Sequence, residues 1–458
     1  MVLPKIYNVY FLADRWFGFD ISSMSLVIGT TQYTTYFDNP DTIRQDGITA
    51  SMAGGSVIGA LVVGPISNRL GRRDSILFAC IWWLIGTTIQ VACNGEAMLI
   101  VDRLLNGFCK EYRGIILCIQ QWAIEWGIFV MYFISYGWSF YHGKPTGAFR
   151  GAWAMQYIPC IMLMIGLPFL PRSPRWLAKV GRKEEVISVL ANIQAKGDRE
   201  DPLVIAEWEE ITTILAAERE SPIKGWRLFF TNGMWKRTFA GTSMQAWQQL
   251  SGANVMTYYI LYVFEMAGLS GNVDLTSSGV EYAVFIIGTA MTFFFIDNTG
   301  RRPLLIYGTM AMSTCMFIVG GILATYGTYL PDGLDGDLSV RIKVTGAPSY
   351  VVIVFSYVLV LAYSLTLAPI AWVYVAEVWS LETRATGMAL ASVSNWLSNF
   401  GIGFMIPAGF ANITYKLFII FGILSFASSV QAFFTYPETA GKTIEGIEKL
   451  FEPGATAP

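Results

Sequence analysis

Long uncharged runs alternate with short charged strips along this chain. Residues 75–93, 151–170, 238–264, 303–331 and 385–415 contain no Asp, Glu, Lys or Arg. About twenty such residues, at 1.5 Å each in a helix, match the roughly 30 Å of bilayer hydrocarbon. The pattern predicts spans near 6–30, 47–67, 75–93, 97–109, 114–138, 151–170, 238–264, 282–296, 303–326, 350–376, 385–409 and 417–436. Residues 171–237 are polar and carry both charge signs; "GRKEEVISVLANI" and "AEWEEITTILAAERE" read as amphipathic surface helices. This linker separates an N-terminal helical bundle, 1–170, from a C-terminal one, 238–436, with a short tail at 437–458.

Two spans break the pattern. The stub 97–109 lies between Glu96 and Lys110 and carries Asp102 and Arg103. It reaches only about 20 Å. The first span holds Asp14 and Arg15 in "FLADRWFGFD", and a charge at mid-depth costs about 2.5–3.5 kcal/mol on insertion scales. Basic loops follow the second and sixth spans, so an even number of crossings must separate them. Only 75–93, 114–138 and 151–170 are full spans there. The stub is needed as a crossing and is too short to be one.

Composition agrees with a polytopic all-α membrane protein. Of 458 residues, 54% are hydrophobic and 14% charged, where a soluble domain has about a quarter charged. A net charge of −2 argues neither for nor against a nucleic-acid partner, and the long apolar spans argue against one. The six cysteines (Cys80, Cys93, Cys109, Cys118, Cys160, Cys315) lie in or beside apolar segments without metal or disulfide spacing. His142 stands alone. No metal, cofactor or catalytic constellation is expected, so an enzyme is not. The first apolar stretch continues into the body of the chain, so no cleavable signal peptide is expected. Asn412 in "NIT", beside a span, is the single sequon and is expected to go unused.

The halves resemble each other. "NRLGRRDS" follows the second span and "DNTGRRPL" the eighth, while "PRSPRWL" follows the sixth and "PETAGKT" the twelfth. In each "GRR" a glycine allows a tight turn and arginines hold the loop at the cytoplasmic surface. Internal repeats of this kind build many transporters.

These motifs, with "FGFDISSM", "RGIILCIQQWAIEWG", "QQLSGANVMTYY", "WVYVAEVWSLETRATG" and "NWLSNF", resemble sugar porters of the major facilitator superfamily, close to fungal proton-coupled monosaccharide transporters. The resemblance covers nearly the whole chain. It implies two six-helix bundles in the plasma membrane, both termini cytoplasmic, a monomer, and a hexose or pentose carried with protons by alternating access. Family members have a complete fourth helix, of which this chain lacks roughly a span's worth, and a small-residue stretch before "FGFD" where this chain has charges. The gaps point to a gene-model or splice variant; the alternative is a real protein with a thinned or re-entrant fourth helix.

Sugar hydroxyls call for amides, which donate and accept, and for an aromatic platform. Gln248 and Asn254 lie a turn and a half apart around Gly252 in an uncharged span. Such amides either line a cavity or bridge helices. The resemblance assigns Gln121, Gln248, Gln249, Asn254, Asn395 and Trp396 to the sugar pocket, Trp372 to the stacking platform and Tyr258 to an extracellular gate. It pairs Asp20 with Arg103 for proton coupling, a role that needs an intact fourth helix. Glu125 is one turn from Gln121 on the same face, which makes it either a second proton site or a structural hydrogen-bonding group. Arg69, Arg72, Arg73, Arg113, Asp297, Arg301, Arg302, Glu377 and Arg384 match the family's cytoplasmic charge cluster, with Asn68 replacing the usual aspartate. Other outcomes are a truncated, poorly functional product, a sugar sensor (disfavoured by the short tail), or a disaccharide or quinate transporter.

Overall fold

The computed structural model describes residues 18–20, 22–24, 27, 30–38, 42–109, 117–141, 143, 145–220, 229–230, 234–269, 272–331, 333–334, 340–379, 383–442, 446–447 and 450–451. Residues 18–20 and 22–24 are helical. They precede α1 (Thr31–Tyr36), α2 (Thr42–Leu70), α3 (Arg72–Val91), α4 (Glu96–Cys109), α5 (Leu117–Ser139), α6 (Pro145–Ala154) and α7 (Tyr157–Gly166). The polar stretch forms α8 (Pro174–Lys179), α9 (Lys183–Gln194) and α10 (Pro202–Glu220). Then come α11 (Met234–Leu250), α12 (Ala253–Tyr258), α13 (Ile260–Met266), α14 (Asn272–Thr299) and α15 (Arg301–Tyr326). After β1 (Thr328–Tyr329) and β2 (Ile342–Lys343), an antiparallel pair, follow α16 (Ala347–Leu365), α17 (Leu367–Val378), α18 (Arg384–Asn412) and α19 (Lys416–Thr435).

Among the described residues, six stretches are long and apolar enough to cross a bilayer: Arg73–Val91, Thr146–Phe169, Thr276–Thr299, Arg301–Tyr326, Ala347–Val378 and Lys416–Thr435. α2, α5 and α18 add helices of 29, 23 and 29 residues. Helix α14 begins well before the expected span at 282–296. Its first turns carry Ser278 and Glu281, polar in sequence but buried in the fold.

Breaks inside the expected spans are stabilised locally. Gly252, with φ 82°, takes the left-handed conformation that ends α11, and the carbonyl of Ser251 accepts Ser425 Oγ at 2.7 Å. Between α16 and α17, Thr292 Oγ1 donates to the carbonyl of Leu365 at 3.0 Å. Backbone groups freed at membrane depth need such partners.

Short α4 is anchored by close approach. A Cβ on Gly55 or Gly59 of α2 would collide with the backbone of Leu104 or Phe108, and one on Gly107 with that of Met52. Small residues let the two backbones meet, the usual way helices associate in lipid. The amphipathic pair α9 and α10 shares its own apolar core with α8, built on Leu177, Val186, Leu190 and Val204.

The halves meet along α2 against α18 and α5 against α14. Tyr132 and Tyr282 lie 5.1 Å apart between ring centroids. Met52, Ile128, Tyr282 and Trp396 share one buried cluster drawn from both halves. The largest core cluster lies wholly within the C-terminal half and its flanks, from Phe229 to Phe451.

Candidate functional site

Helix α11 places Gln245, Gln248 and Gln249 toward α17 and α18. Gln248 Nε2 donates to the carbonyl of Ala368 at 3.1 Å, and its Oε1 accepts from Asn395 Nδ2 at 2.8 Å. Asn395 Nδ2 also donates to Gln245 Oε1 at 2.6 Å, and Asn395 Oδ1 accepts from Gln249 Nε2 at 3.1 Å. Gln249 Oε1 takes both Asn254 Nδ2 at 2.6 Å and Asn399 Nδ2 at 2.8 Å. Four of the sugar-pocket residues expected from sequence, Gln248, Gln249, Asn254 and Asn395, therefore form one network. Gln245 and Asn399 complete it, and sequence reading missed both. Asn399 lies four residues after Asn395 on α18, the spacing that could have revealed it.

Trp396 is buried beside this network, at the contact between halves. Trp372 is half-buried on α17, next to Ala371, whose carbonyl accepts Gln245 Nε2 at 3.4 Å. Tyr258 shares a hydrogen bond with Asn399 and lies within electrostatic reach of Arg103 and Asp20. The C-terminal amides thereby approach the N-terminal ion pair.

Arg103 Nη1 lies 3.5 Å from Asp20 Oδ1, both side chains almost fully buried. Its Nη1 also donates to the Asp20 carbonyl at 3.3 Å and its Nη2 to Ser23 Oγ at 3.1 Å. The short α4 therefore still delivers Arg103 to the first helical segment.

Glu125 Oε1 accepts Gln121 Nε2 at 3.1 Å and Thr289 Oγ1 at 2.7 Å, so it binds across the halves. Tyr363 on α16 is within electrostatic reach of both Glu125 and Tyr258. Thr289 gave no signal in the sequence beyond being polar in an apolar run.

The two "GRR" turns adopt the same conformation. Gly71 has φ 80°, ψ 161°, and Gly300 has φ 88°, ψ 159°. Both open helices, and only glycine accommodates this geometry without strain. Arg301 reaches Glu377 at 3.1 Å and Asp297 at 3.0 Å. Arg302 donates to the Phe433 carbonyl at 2.7 Å. Glu438 accepts the backbone N–H of Arg301 and of Arg302 at 2.9 and 3.0 Å, and Thr439 Oγ1 donates to Glu377 at 2.7 Å. In the first half Arg73 and Arg172 share Asp74 at 3.1 and 3.0 Å. Arg384 lies within electrostatic reach of Glu377 and of Arg175. Arg69 is exposed. Arg113 lies outside the described residues, as do the side chains of Asn68 and Arg72. Asp74 and Glu438 were not expected as parts of this cluster.

The chain resembles known proteins along nearly its whole length. The sequence profile described as "Sugar (and other) transporter" matches residues 7–110 and 109–451, the two segments joining at the end of α4. A high-affinity glucose transporter of Kluyveromyces lactis is 40% identical over 474 residues, covering 98% of this chain and 86% of that one. The high-affinity glucose transporter 1 of Candida albicans is 38% identical over 475 residues, covering 98% and 87%. The solved proton:xylose symporter XylE, bound to 6-bromo-6-deoxy-D-glucose, superposes with a TM-score of 0.81 at 23% identity, covering 98% of each chain. These relatives are transporters, not enzymes. By motif, fold and similarity along its length, the chain belongs to the sugar transporter family of the major facilitator superfamily.

Proposed function

We propose that this protein carries a hexose or pentose across the plasma membrane together with protons, its two halves rocking around a central site with both termini in the cytoplasm. The observation that carries the reading is the amide network running through Asn399 to Tyr258, with the buried Asp20–Arg103 pair within electrostatic reach of that tyrosine. It links a set of sugar-type ligands to an ionisable pair in the opposite half. The names of its relatives, two glucose transporters, support the cargo, and that of the solved symporter supports the proton.

The chemistry follows from the groups. Gln248, Gln249, Asn254 and Asn395 satisfy one another while the site is closed. A sugar hydroxyl both donates and accepts, so it can replace an amide partner without leaving one orphaned. Gln121 reaches in from α5, Trp372 offers its face to the sugar ring, Trp396 closes the pocket wall and Tyr258 gates the outer side. The Arg103 guanidinium is set against the Asp20 carboxylate at 3.5 Å. Proton binding to Asp20 or Glu125 alters these buried contacts and so couples to the rocking of the halves. The charge cluster at the arginine-bearing end locks the cytoplasmic side until the inside opens.

Uptake of radiolabelled glucose and xylose in a transporter-null yeast tests this. Saturable uptake that collapses with a protonophore is expected. Uptake indifferent to the protonophore would remove the proton, and no uptake of either sugar despite surface expression would remove the monosaccharide.

A second reading rests on α4, whose 14 residues end where the family match divides. A helix of that length spans about 21 Å. On this reading the chain is a poorly functional variant of a longer transporter. An uninterrupted transcript through codons 100–115 would rule out the gene-model form of that explanation.

A further inference from the structure

Glu281 stands apart from the carboxyls described above. It is 1% exposed on α14, and among the described residues neither of its carboxyl oxygens has a hydrogen-bond partner. Its neighbours fix its direction. One turn before it, the Ser277 carbonyl accepts the Tyr357 hydroxyl of α16 at 2.9 Å. One turn after it, Phe285 packs on Tyr363 of α16, ring centroids 5.6 Å apart. Residues four apart share a helix face, so Glu281 is set into the seam between α14 and α16. Two turns further along that helix, about 12 Å away, Thr289 donates to Glu125.

The titratable groups around this seam are few. Helix α5 turns Glu125 and Tyr132 toward α14, and α16 turns Tyr357 and Tyr363. Helix α13 carries Tyr262 and Glu265, while Glu377 of α17 lies at the far end, on Arg301 at 3.1 Å. The arginines of α15 begin at Arg301, about 30 Å further along the helix direction. No lysine or arginine occurs in α5, α13, α16 or α17. A carboxylate without water, donors or a counter-charge is strongly disfavoured in such a setting.

We propose that Glu281 is a further proton-binding carboxyl of the transport cycle, separate from both Asp20 and Glu125. The proposal rests on the reading of the chain as a proton-driven sugar transporter. A proton from the outer aqueous phase binds a Glu281 carboxylate oxygen while the outer end of the seam is wet. It is held as the O–H while the seam is closed, and it leaves to water on the other side when α14 and α16 part. Nothing is oxidised or reduced, and one further proton crosses with each sugar.

The test uses full-length protein in proteoliposomes. Dicyclohexylcarbodiimide couples to protonated carboxyls in apolar surroundings, and mass spectrometry locates the adduct. An adduct at Glu281 that forms more slowly as external pH rises, and is absent in Glu281→Gln, is expected. Under a pH gradient of about one unit, each coupled proton contributes about tenfold to sugar accumulation. Glu281→Gln should therefore accumulate about tenfold less glucose than the parent, and Glu281→Asp should recover part of the loss. No adduct at Glu281 at any pH, or full accumulation by Glu281→Gln, overturns the proposal while leaving the transport reading intact. If the parent itself accumulates no sugar, the transport reading fails, and the coupled role of Glu281 fails with it.

Discussion

Arg103 on the 14-residue α4 reaches Asp20 in the first helical segment at 3.5 Å, and both side chains are sealed from solvent. Removing one member of such a pair strands the other, at a cost of about 3–5 kcal/mol. Asp20→Asn is therefore expected to lower thermal stability sharply, because Arg103 then faces neutral partners, Ser23 Oγ, Met52 Sδ and a backbone oxygen. Combining it with Arg103→Gln should restore much of the folded protein but not proton-driven accumulation. Thermal unfolding of the purified single and double variants decides; an unshifted single variant would show that the two charges do not depend on each other.

Asn395 is the hub of the amide network, so its loss should be felt most. Asn395→Ala leaves the side-chain oxygens of Gln245 and Gln248 without their donor. A buried acceptor so orphaned costs about 1–3 kcal/mol, equivalent to about 5- to 150-fold in apparent affinity. Asn254→Ala removes only one of two donors to Gln249, since Asn399 remains. Sugar uptake kinetics should rank Asn395→Ala as the more damaging change, and the reverse order would contradict the proposed hub.

How much of this was legible beforehand depended on the kind of signal. Uncharged runs gave the spans because hydrocarbon thickness sets a length that composition alone reveals. Paired "GRR" motifs predicted the matching turns at Gly71 and Gly300, whose dihedrals agree within about ten degrees. The breaks at Ser251–Gly252 and Thr366 were harder, because their stabilising partners, Ser425 and Thr292, come from distant helices. Asn399, Thr289 and Glu281 went unseen for the same reason. A polar residue in an apolar run acquires meaning only from the helix it faces. The start of α14 was misplaced because polarity was read as exposure, whereas Ser278 and Glu281 are buried.

The approach of α4 to α2 makes a sharp test of how a short helix is retained. Gly107→Ala would drive a methyl into the Met52 backbone, which cannot move aside as a flexible side chain can. The two helices must separate, weakening the placement of Arg103. Gly47→Ala, also on α2, meets nothing within 4 Å. Fluorescence-detected size-exclusion profiles should show aggregation or loss for Gly107→Ala and a normal peak for Gly47→Ala. Equal profiles would mean that close backbone contact does not hold α4.

The tail motif "PETAGKT" should stabilise α15 through its glutamate rather than through general charge. Glu438 satisfies two first-turn N–H groups of that helix, where a carboxylate also meets the positive end of the helix dipole. Glu438→Ala leaves both donors without a partner, and cap losses of this type cost about 0.5–2 kcal/mol. Asp297 also contacts Arg301, at 3.0 Å, but its side chain is 81% exposed, so solvent screens the pair. Asp297→Ala is accordingly expected to leave the unfolding temperature nearly unchanged, while Glu438→Ala lowers it by several degrees. Glu438→Gln should fall between them, because the amide keeps one acceptor and loses the charge. Should Asp297→Ala prove as damaging as Glu438→Ala, attraction between side-chain charges, and not capping of α15, would be what secures this end of the bundle.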